Sequence, residues 1–264
     1  MHAPAASPPI DPQLLLLAYR SGIFPMADAR DDPDIFWVEP RKRAILPLDG
    51  FHCSHSLSKV LRRETFVVTC NAAFAAVIEA CADPRRDGDQ TWISTRIAHS
   101  YSALHALGLA HSIECWLDDE LVGGLYGVGF DGVFCGESMF SRRTDASKVA
   151  LAWLVAAMRR GGAQLLDCQF MTGHLASLGA QEITQARYLK LLRAAQRPVA
   201  GDGLALGAGD GLALGTGDGL GAAEGLAVGA ALPAGFAALL EDAAGAGLSS
   251  SPGNFIAQSL TQTS

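Results

Sequence analysis

Residues 111–170 read HSIECWLDDELVGGLYGVGFDGVFCGESMFSRRTDASKVALAWLVAAMRRGGAQLLDCQF. Three apolar runs, 111–117, 121–128 and 133–140, have the length and β-branched or aromatic content of strands. Asp118-Asp119-Glu120 separates the first two. Asp131-Gly132 separates the second pair and is a dipeptide suited to a two-residue hairpin turn, in which both central residues take φ > 0. A helical run follows at 146–160, opened by Thr144 and Asp145 and stopped by Gly161-Gly162. A fourth strand at 164–170 closes the unit. The predicted order is β-β-β-α-β, an antiparallel meander whose last strand crosses over through a helix to a neighbour.

Two of these strands carry groups that an ordinary core strand lacks. Glu137 interrupts the apolar run 133–140, and Asp167 and Gln169 stand two apart in 165–170. A period of two residues places Asp167 and Gln169 on one face, roughly 6–7 Å apart. A buried carboxylate is costly without partners, so two carboxylates and an amide on neighbouring strands point to a polar cleft. The alternative is that Glu137 and Asp167 pair with Arg142, Arg143 or Lys148.

Outward from this centre the chain reads as a globular protein of 264 residues, 49% hydrophobic. No apolar run near the start approaches the length of a membrane span and no export signal is evident, so a cytoplasmic, non-membrane protein is expected. The six cysteines form no C-x-x-C pair and read as reduced, mostly buried thiols. The net charge of −7 is uneven: every Lys and Arg lies within 1–197, leaving the first 200 residues near neutral. The basic residues cluster at 41–43, at Lys59 with Arg62-Arg63, at 85–86, 142–148 and 159–160, which can build a phosphate-binding face or solvated helix ends.

Residues 1–9 read as a flexible N-terminus. Residues 10–62 read as a small N-terminal α/β domain, with a helix opened by Asp11-Pro12, the apolar turn Ile23-Phe24-Pro25-Met26, strands near 36–38 and 44–47, and a helix at 56–63. Residues 63–198 form the larger domain, with a strand at 66–70, a helix capped by Asn71, a charged loop at 83–90, a helix capped by Ser94 and a last helix at 186–195. Beyond 198 the composition changes: GDGLALGA, GDGLALGT and GDG repeat with period eight over 201–219. Residues 199–264 are expected to be a Gly/Ala-rich, largely disordered tail, with one helical pattern at 233–244.

The meander and crossover helix resemble the centre of the acetyltransferase-like (GNAT) fold, implying an α+β protein with a mixed sheet and flanking helices. That fold cradles coenzyme A phosphates in a glycine-rich loop before the crossover helix. Ser141-Arg142-Arg143-Thr144-Asp145-Ala146 stands here instead, without glycine and with an acid beside the phosphate position. This argues for acyl transfer from a donor other than acyl-CoA. The runs Gly22-Ile23-Phe24-Pro25, Thr91-Trp92-Ile93, His111-Ser112-Ile113-Glu114, Phe134–Arg142 (FCGESMFSR), Ala146-Ser147-Lys148, Asp167-Cys168-Gln169 and Ala176-Ser177-Leu178-Gly179-Ala180 make the likeness specific. From about residue 11 to 192 the chain is similar to the bacterial leucyl/phenylalanyl-tRNA–protein transferase family.

That resemblance implies transfer of leucine or phenylalanine, with methionine a further candidate, from aminoacyl-tRNA to the α-amino group of proteins beginning with Arg or Lys, which marks them for degradation. An aminoacyl ester is already activated, so no cofactor or metal is implied, and a monomer is expected. By position Asp167 and Gln169 lie at the transfer centre, Gln169 holding or deprotonating the amine and Asp167 polarising it. Glu137 faces the cationic acceptor. Leu125, Phe134 and Leu154 line the aminoacyl pocket, with Met26 close by. Tyr19, Trp92 and Tyr101 hold the 3′ adenosine, and Lys59, Arg62 and Arg63 meet tRNA phosphates. Met26 and Leu125 depart from the tryptophan and methionine that many relatives carry there. Rival readings are an acyl-CoA N-acyltransferase, a non-catalytic module that binds tRNA or protein N-termini, and a metal site begun by His52-Cys53-Ser54-His55, which lacks a second ligand pair.

Overall fold

A computed structural model describes residues 7–83, 91–196, 231–246 and 251–261. The period-eight repeat, Arg85-Arg86 and most of the charged loop at 83–90 lie outside the described residues.

The three strands of the meander are β5 (Ala110–Leu117), β6 (Glu120–Phe130) and β7 (Val133–Ser141), followed by α5 (Ala146–Arg160) and β8 (Leu165–Gln169). As the sequence predicts, β5, β6 and β7 pair antiparallel and β7 pairs parallel with β8. The turn chemistry differs from expectation. Asp118 and Asp119 both have positive φ (51° and 62°), whereas at Asp131-Gly132 only Asp131 does (48°). Two successive aspartates can fill the turn because Asp tolerates the left-handed region better than most residues.

Further strands complete a seven-stranded sheet in the order β4-β5-β6-β7-β8-β3-β9, with β3 (Lys42–Leu46), β4 (Val67–Cys70) and β9 (Gln181–Thr184). Strand β3 belongs to the stretch read as a small N-terminal domain, yet it is inserted between β8 and β9. The turn at 23–26 contains β1 (Phe24–Met26), which pairs with β2 (Phe36–Val38) in a separate ribbon.

Each face of the sheet carries its own core. One is closed by α2 (His55–Arg62), α5, α6 (Gly173–Ser177), α8 (Ala231–Gly245) and α9 (Pro252–Thr261). Helix α5 is apolar almost all round because it lies between the sheet and α8. The other core is closed by α1 (Pro12–Arg20), α3 (Phe74–Ala82), α4 (Thr95–Ala106) and α7 (Gln185–Ala195). Asp11 and Ser94 cap α1 and α4 as expected. Asn71 does not cap α3: it has φ 60°, and its amide binds His111 Nδ1 and the Ser112 N–H. The buried Glu114 carboxylate accepts instead from the Ala72 and Ala73 N–H groups just before α3, and from the Thr69 and Ser112 hydroxyls.

In the tail, α8 coincides with the helical pattern expected at 233–244, whereas α9 stands where disorder was expected; together they bury Leu232, Phe236, Leu239, Ile256, Ala257 and Leu260. The burial of these side chains against α5 and α2 compensates the ordering entropy that a Gly/Ala-rich segment alone cannot.

Candidate active site

Strands β7 and β8 pair only from Val133/Leu165 to Cys135/Asp167, although β7 runs on to Ser141 and β8 to Gln169. Beyond that point they part. A cavity of about 410 Å³ opens there, at the carboxyl ends of two parallel strands. It is walled by Leu125 and Met139 from the meander, Leu151 and Leu154 from α5, and Leu166 and Leu175, with Trp92 and Phe170 also in the lining.

Two irregularities aim polar groups at the opening. The β6–β7 register shifts so that Tyr126 opposes Ser138 and Gly127 opposes Gly136, leaving Glu137 as the extra residue of a bulge. Gln169 ends β8 with φ 60°. Its Nε2 donates to Glu137 Oε1 at 2.8 Å. The Tyr101 hydroxyl bonds Glu137 Oε2 at 3.0 Å, and the Tyr19 hydroxyl in turn bonds that of Tyr101. Burial pushes the Glu137 carboxyl up to about 7, while hydrogen bonds from the phenols and Gln169 pull the other way. Glu137 is therefore poised between its two protonation states near neutral pH.

Asp167 is wholly buried and bound on every side. It takes Arg43 Nε at 2.9 Å and the Gln169 N–H at 2.8 Å on Oδ1, and Arg43 Nη2 at 2.5 Å and the Tyr188 hydroxyl at 2.9 Å on Oδ2. The bidentate Arg43 is 1% exposed, its guanidinium over the rings of Phe24 (4.7 Å) and Tyr188 (4.5 Å), with Nη1 on the Gly22 carbonyl. Burial pulls the Arg43 pKa down, but Asp167 outweighs it and the net shift is upward. The pairing of Glu137 or Asp167 with Arg142, Arg143 or Lys148 is thus not found: Arg142 binds Asp83 and Lys148 binds Asp145.

The sequence-derived residues divide accordingly. Trp92, Leu125, Leu154, Glu137 and Gln169 line the cavity. Asp167 stands behind them as the brace of Gln169. Tyr19 and Tyr101 are both buried, and their hydroxyls anchor Glu137. Phe134 is a core residue packed on Gly127, and Met26 packs on the other core beside β2. Lys59, Arg62 and Arg63 are exposed on or next to α2 and make no ion pair among the described residues. Arg43 and Tyr188 were not anticipated. Arg43 reads as part of a basic triplet, and its one signal is its position at the head of the apolar run Ala44-Ile45-Leu46.

At the start of α5, Asp145 has φ 68° and holds Lys148, and Ser141 Oγ donates to the Arg143 carbonyl. That turn is filled by its own side chains rather than laid out as a glycine-lined phosphate cradle. Among the described residues His52, Cys53 and His55 gather no metal-binding group.

The site is thus an apolar cavity lined by an amide and a carboxyl that bond each other, and sequence comparisons place the protein in the class of transferases. The family models for leucyl/phenylalanyl-tRNA protein transferase and for its N-terminal domain match residues 45–193 and 9–41. The leucyl/phenylalanyl-tRNA–protein transferase of Novosphingobium aromaticivorans is 64% identical over 97% of both chains. That of Zymomonas mobilis is 59% identical over 70% of this chain and 69% of its own, and that of Rhizorhabdus wittichii 56% identical over 75% and 80%. The chain belongs to the leucyl/phenylalanyl-tRNA–protein transferase family. A solved structure titled as L-PGS from Bacillus licheniformis shares 14% identity, with a TM-score of 0.34 over 62% of this chain and 55% of that one. At that level the likeness decides neither fold nor function.

Proposed function

We propose that the protein moves leucine or phenylalanine, with methionine as a third donor, from the 3′ end of its tRNA to the α-amino group of proteins that begin with Arg or Lys, marking them for degradation. The observation that carries this reading is the Glu137–Gln169 pair at the mouth of an apolar cavity between diverging strands. The cavity takes the apolar side chain, and the ester projects toward Gln169. The incoming amine attacks the ester carbonyl, the bond to the 3′ oxygen breaks, and the proton lost by the amine ends on that oxygen. Gln169 positions the amine. Asp167, whose oxygens are all occupied, acts through Gln169 by fixing its main chain and does not itself meet the amine. Glu137 supplies charge complementarity to the cationic acceptor in its ionised form.

Several coarser features fit the same reading. The sheet with its crossover helix is an acetyltransferase-like (GNAT) core to which the N-terminal stretch contributes β3 and α2. Lys59, Arg62 and Arg63 meet the phosphates of the tRNA body. The protein works as a cytoplasmic monomer without a cofactor, and among the described residues no helix is long and apolar enough to cross a membrane.

The test is a transfer assay with radiolabelled leucyl-tRNA and two peptides, one beginning with arginine and one with alanine. Label is expected on the arginine peptide only. Label on neither peptide, with leucyl-tRNA still bound, would leave a binding module in place of an enzyme.

A further inference from the structure

Helices α8 and α9 lie beyond both segments matched by the family models, and the transfer chemistry above makes no use of them. Their attachment is specific. Phe236 packs on Trp153 of α5 with ring centroids 5.2 Å apart. Asp242 pairs with Arg160 at 2.6 Å. Both helices come within backbone distance of the body through a glycine: a Cβ at Gly235 would overlap the Ala157 carbonyl oxygen, and one at Gly253 the Leu61 carbonyl oxygen of α2.

The contact of α9 with α2 bears on charge. The Gly253 N–H, in the first turn of α9, donates to Glu64 Oε1 at 2.9 Å. Glu64 directly follows Arg62-Arg63, and is the acid adjacent to the basic face of α2. Arg159 fastens the other end, donating to the Ser259 carbonyl of α9 at 3.1 Å and to the Leu48 carbonyl, in the 3-10 turn Leu48–Gly50 ahead of α2, at 2.8 Å. Helix α9, PGNFIAQSLT, has no charged side chain of its own.

We propose that α9 is an intramolecular clamp on α2: it fixes the basic face of Lys59, Arg62 and Arg63 and draws Glu64 away from it, so that the C-terminal helices position the surface that receives the tRNA body. The inference rests on the reading of α2 as a tRNA-binding face. Released from α9, α2 loses its outer support and Glu64 swings back beside two arginines, where one unit of opposing charge weakens phosphate binding several-fold.

The test uses the full chain. Gly253→Val cannot seat α9 on Leu61. Its KM for leucyl-tRNA should rise roughly 5- to 10-fold, with kcat unchanged, while transfer from leucyl-adenosine, which has no tRNA body, stays at the wild-type level. Adding Glu64→Gln to Gly253→Val should restore part of the lost affinity. Equal losses with both donors would mean general damage and overturn the clamp, as would an unchanged KM or a pair with no recovery. Lys59/Arg62/Arg63→Ala separates the underlying reading: unchanged tRNA binding in that variant removes α2 from the interface and the clamp with it. Should the wild type transfer from neither donor, the enzymatic reading fails, and direct tRNA binding by Gly253→Val against wild type still judges the clamp.

Discussion

Replacing Arg43 by methionine tests the architecture of the site more sharply than touching the residues at its mouth. The side chain keeps its apolar stem but loses the guanidinium, so the fully buried Asp167 retains only neutral partners, the Tyr188 hydroxyl, the Gln169 N–H and the Cys135 thiol. Removing one partner of a buried ion pair costs about 3–5 kcal/mol, because the remaining charge is left uncompensated. At about 2–4 °C per kcal/mol for a domain of this size, the melting temperature should fall by roughly 6–20 °C. The contacts over Phe24 and Tyr188 and the bond to the Gly22 carbonyl vanish together, so the apolar turn at 22–25 loosens from β3 as well. Transfer should fall further than stability alone requires, since Gln169 loses the anchored acceptor that fixes its φ of 60°. Circular-dichroism melts and single-turnover transfer of the same preparations measure both. The companion variant, Arg43→Met with Asp167→Leu, removes the stranded charge, and its stability loss should be smaller than the sum of the two single losses. A melting temperature within about 2 °C of wild type for Arg43→Met, or strict additivity in the double variant, would refute the account of Asp167 as a charged brace.

Glu137 makes stability depend on pH. Its pKa is raised from 4.5 to about 7 in the fold, so the folded state holds the proton more tightly than the unfolded chain. The stabilisation from that proton is complete below about 4.5 and lost as the pH climbs through about 7. Glu137→Gln, which cannot ionise, should therefore gain up to about 3 kcal/mol on the wild type between about pH 4.5 and pH 8.5, measured by urea denaturation; parallel pH profiles for the two proteins would count against a buried, titrating carboxyl. Asp167→Ala should abolish transfer with little change in tRNA affinity, and wild-type turnover in that variant would end the assignment of the site. Lys59/Arg62/Arg63→Ala should lower the salt slope of tRNA binding by about 2–3, and an unaltered slope would mean that phosphates bind elsewhere. Deleting residues 199–264 uncovers Trp153 and the outer face of α5; a lower melting temperature is expected from the loss of that apolar burial, and an unchanged melt would make the helices a passive appendage.

What the sequence disclosed and what it hid differ by range of interaction. The β-β-β-α-β unit was readable because strand and helix periods and turn residues are local, and the polar centre was readable because Glu137, Asp167 and Gln169 stand inside apolar runs. Arg43 was hidden because its partner lies 124 residues away, across a pairing of β3 with β8 that no local pattern announces. The bonds that tie Tyr19 and Tyr101 to Glu137 were hidden as well, because an aromatic residue on a helix has the same signature whether its ring faces a ligand or its hydroxyl serves a buried carboxylate. The C-terminal helices are the instructive case. Leu232, Phe236, Leu239 and Ala243, and then Gly253, Ile256, Ala257 and Leu260, recur at the three- and four-residue spacing of one helix face. The first stripe reads as a helix at 233–244, while the second falls in a stretch whose surroundings suggested disorder. Gly253 reverses that inference, since, like Gly235, it lets a helix approach to a distance that no larger residue permits. Close approach recovers by dispersion contact what the small side chains lack in bulk. A small-residue composition therefore argues for disorder only where no helical stripe runs through it.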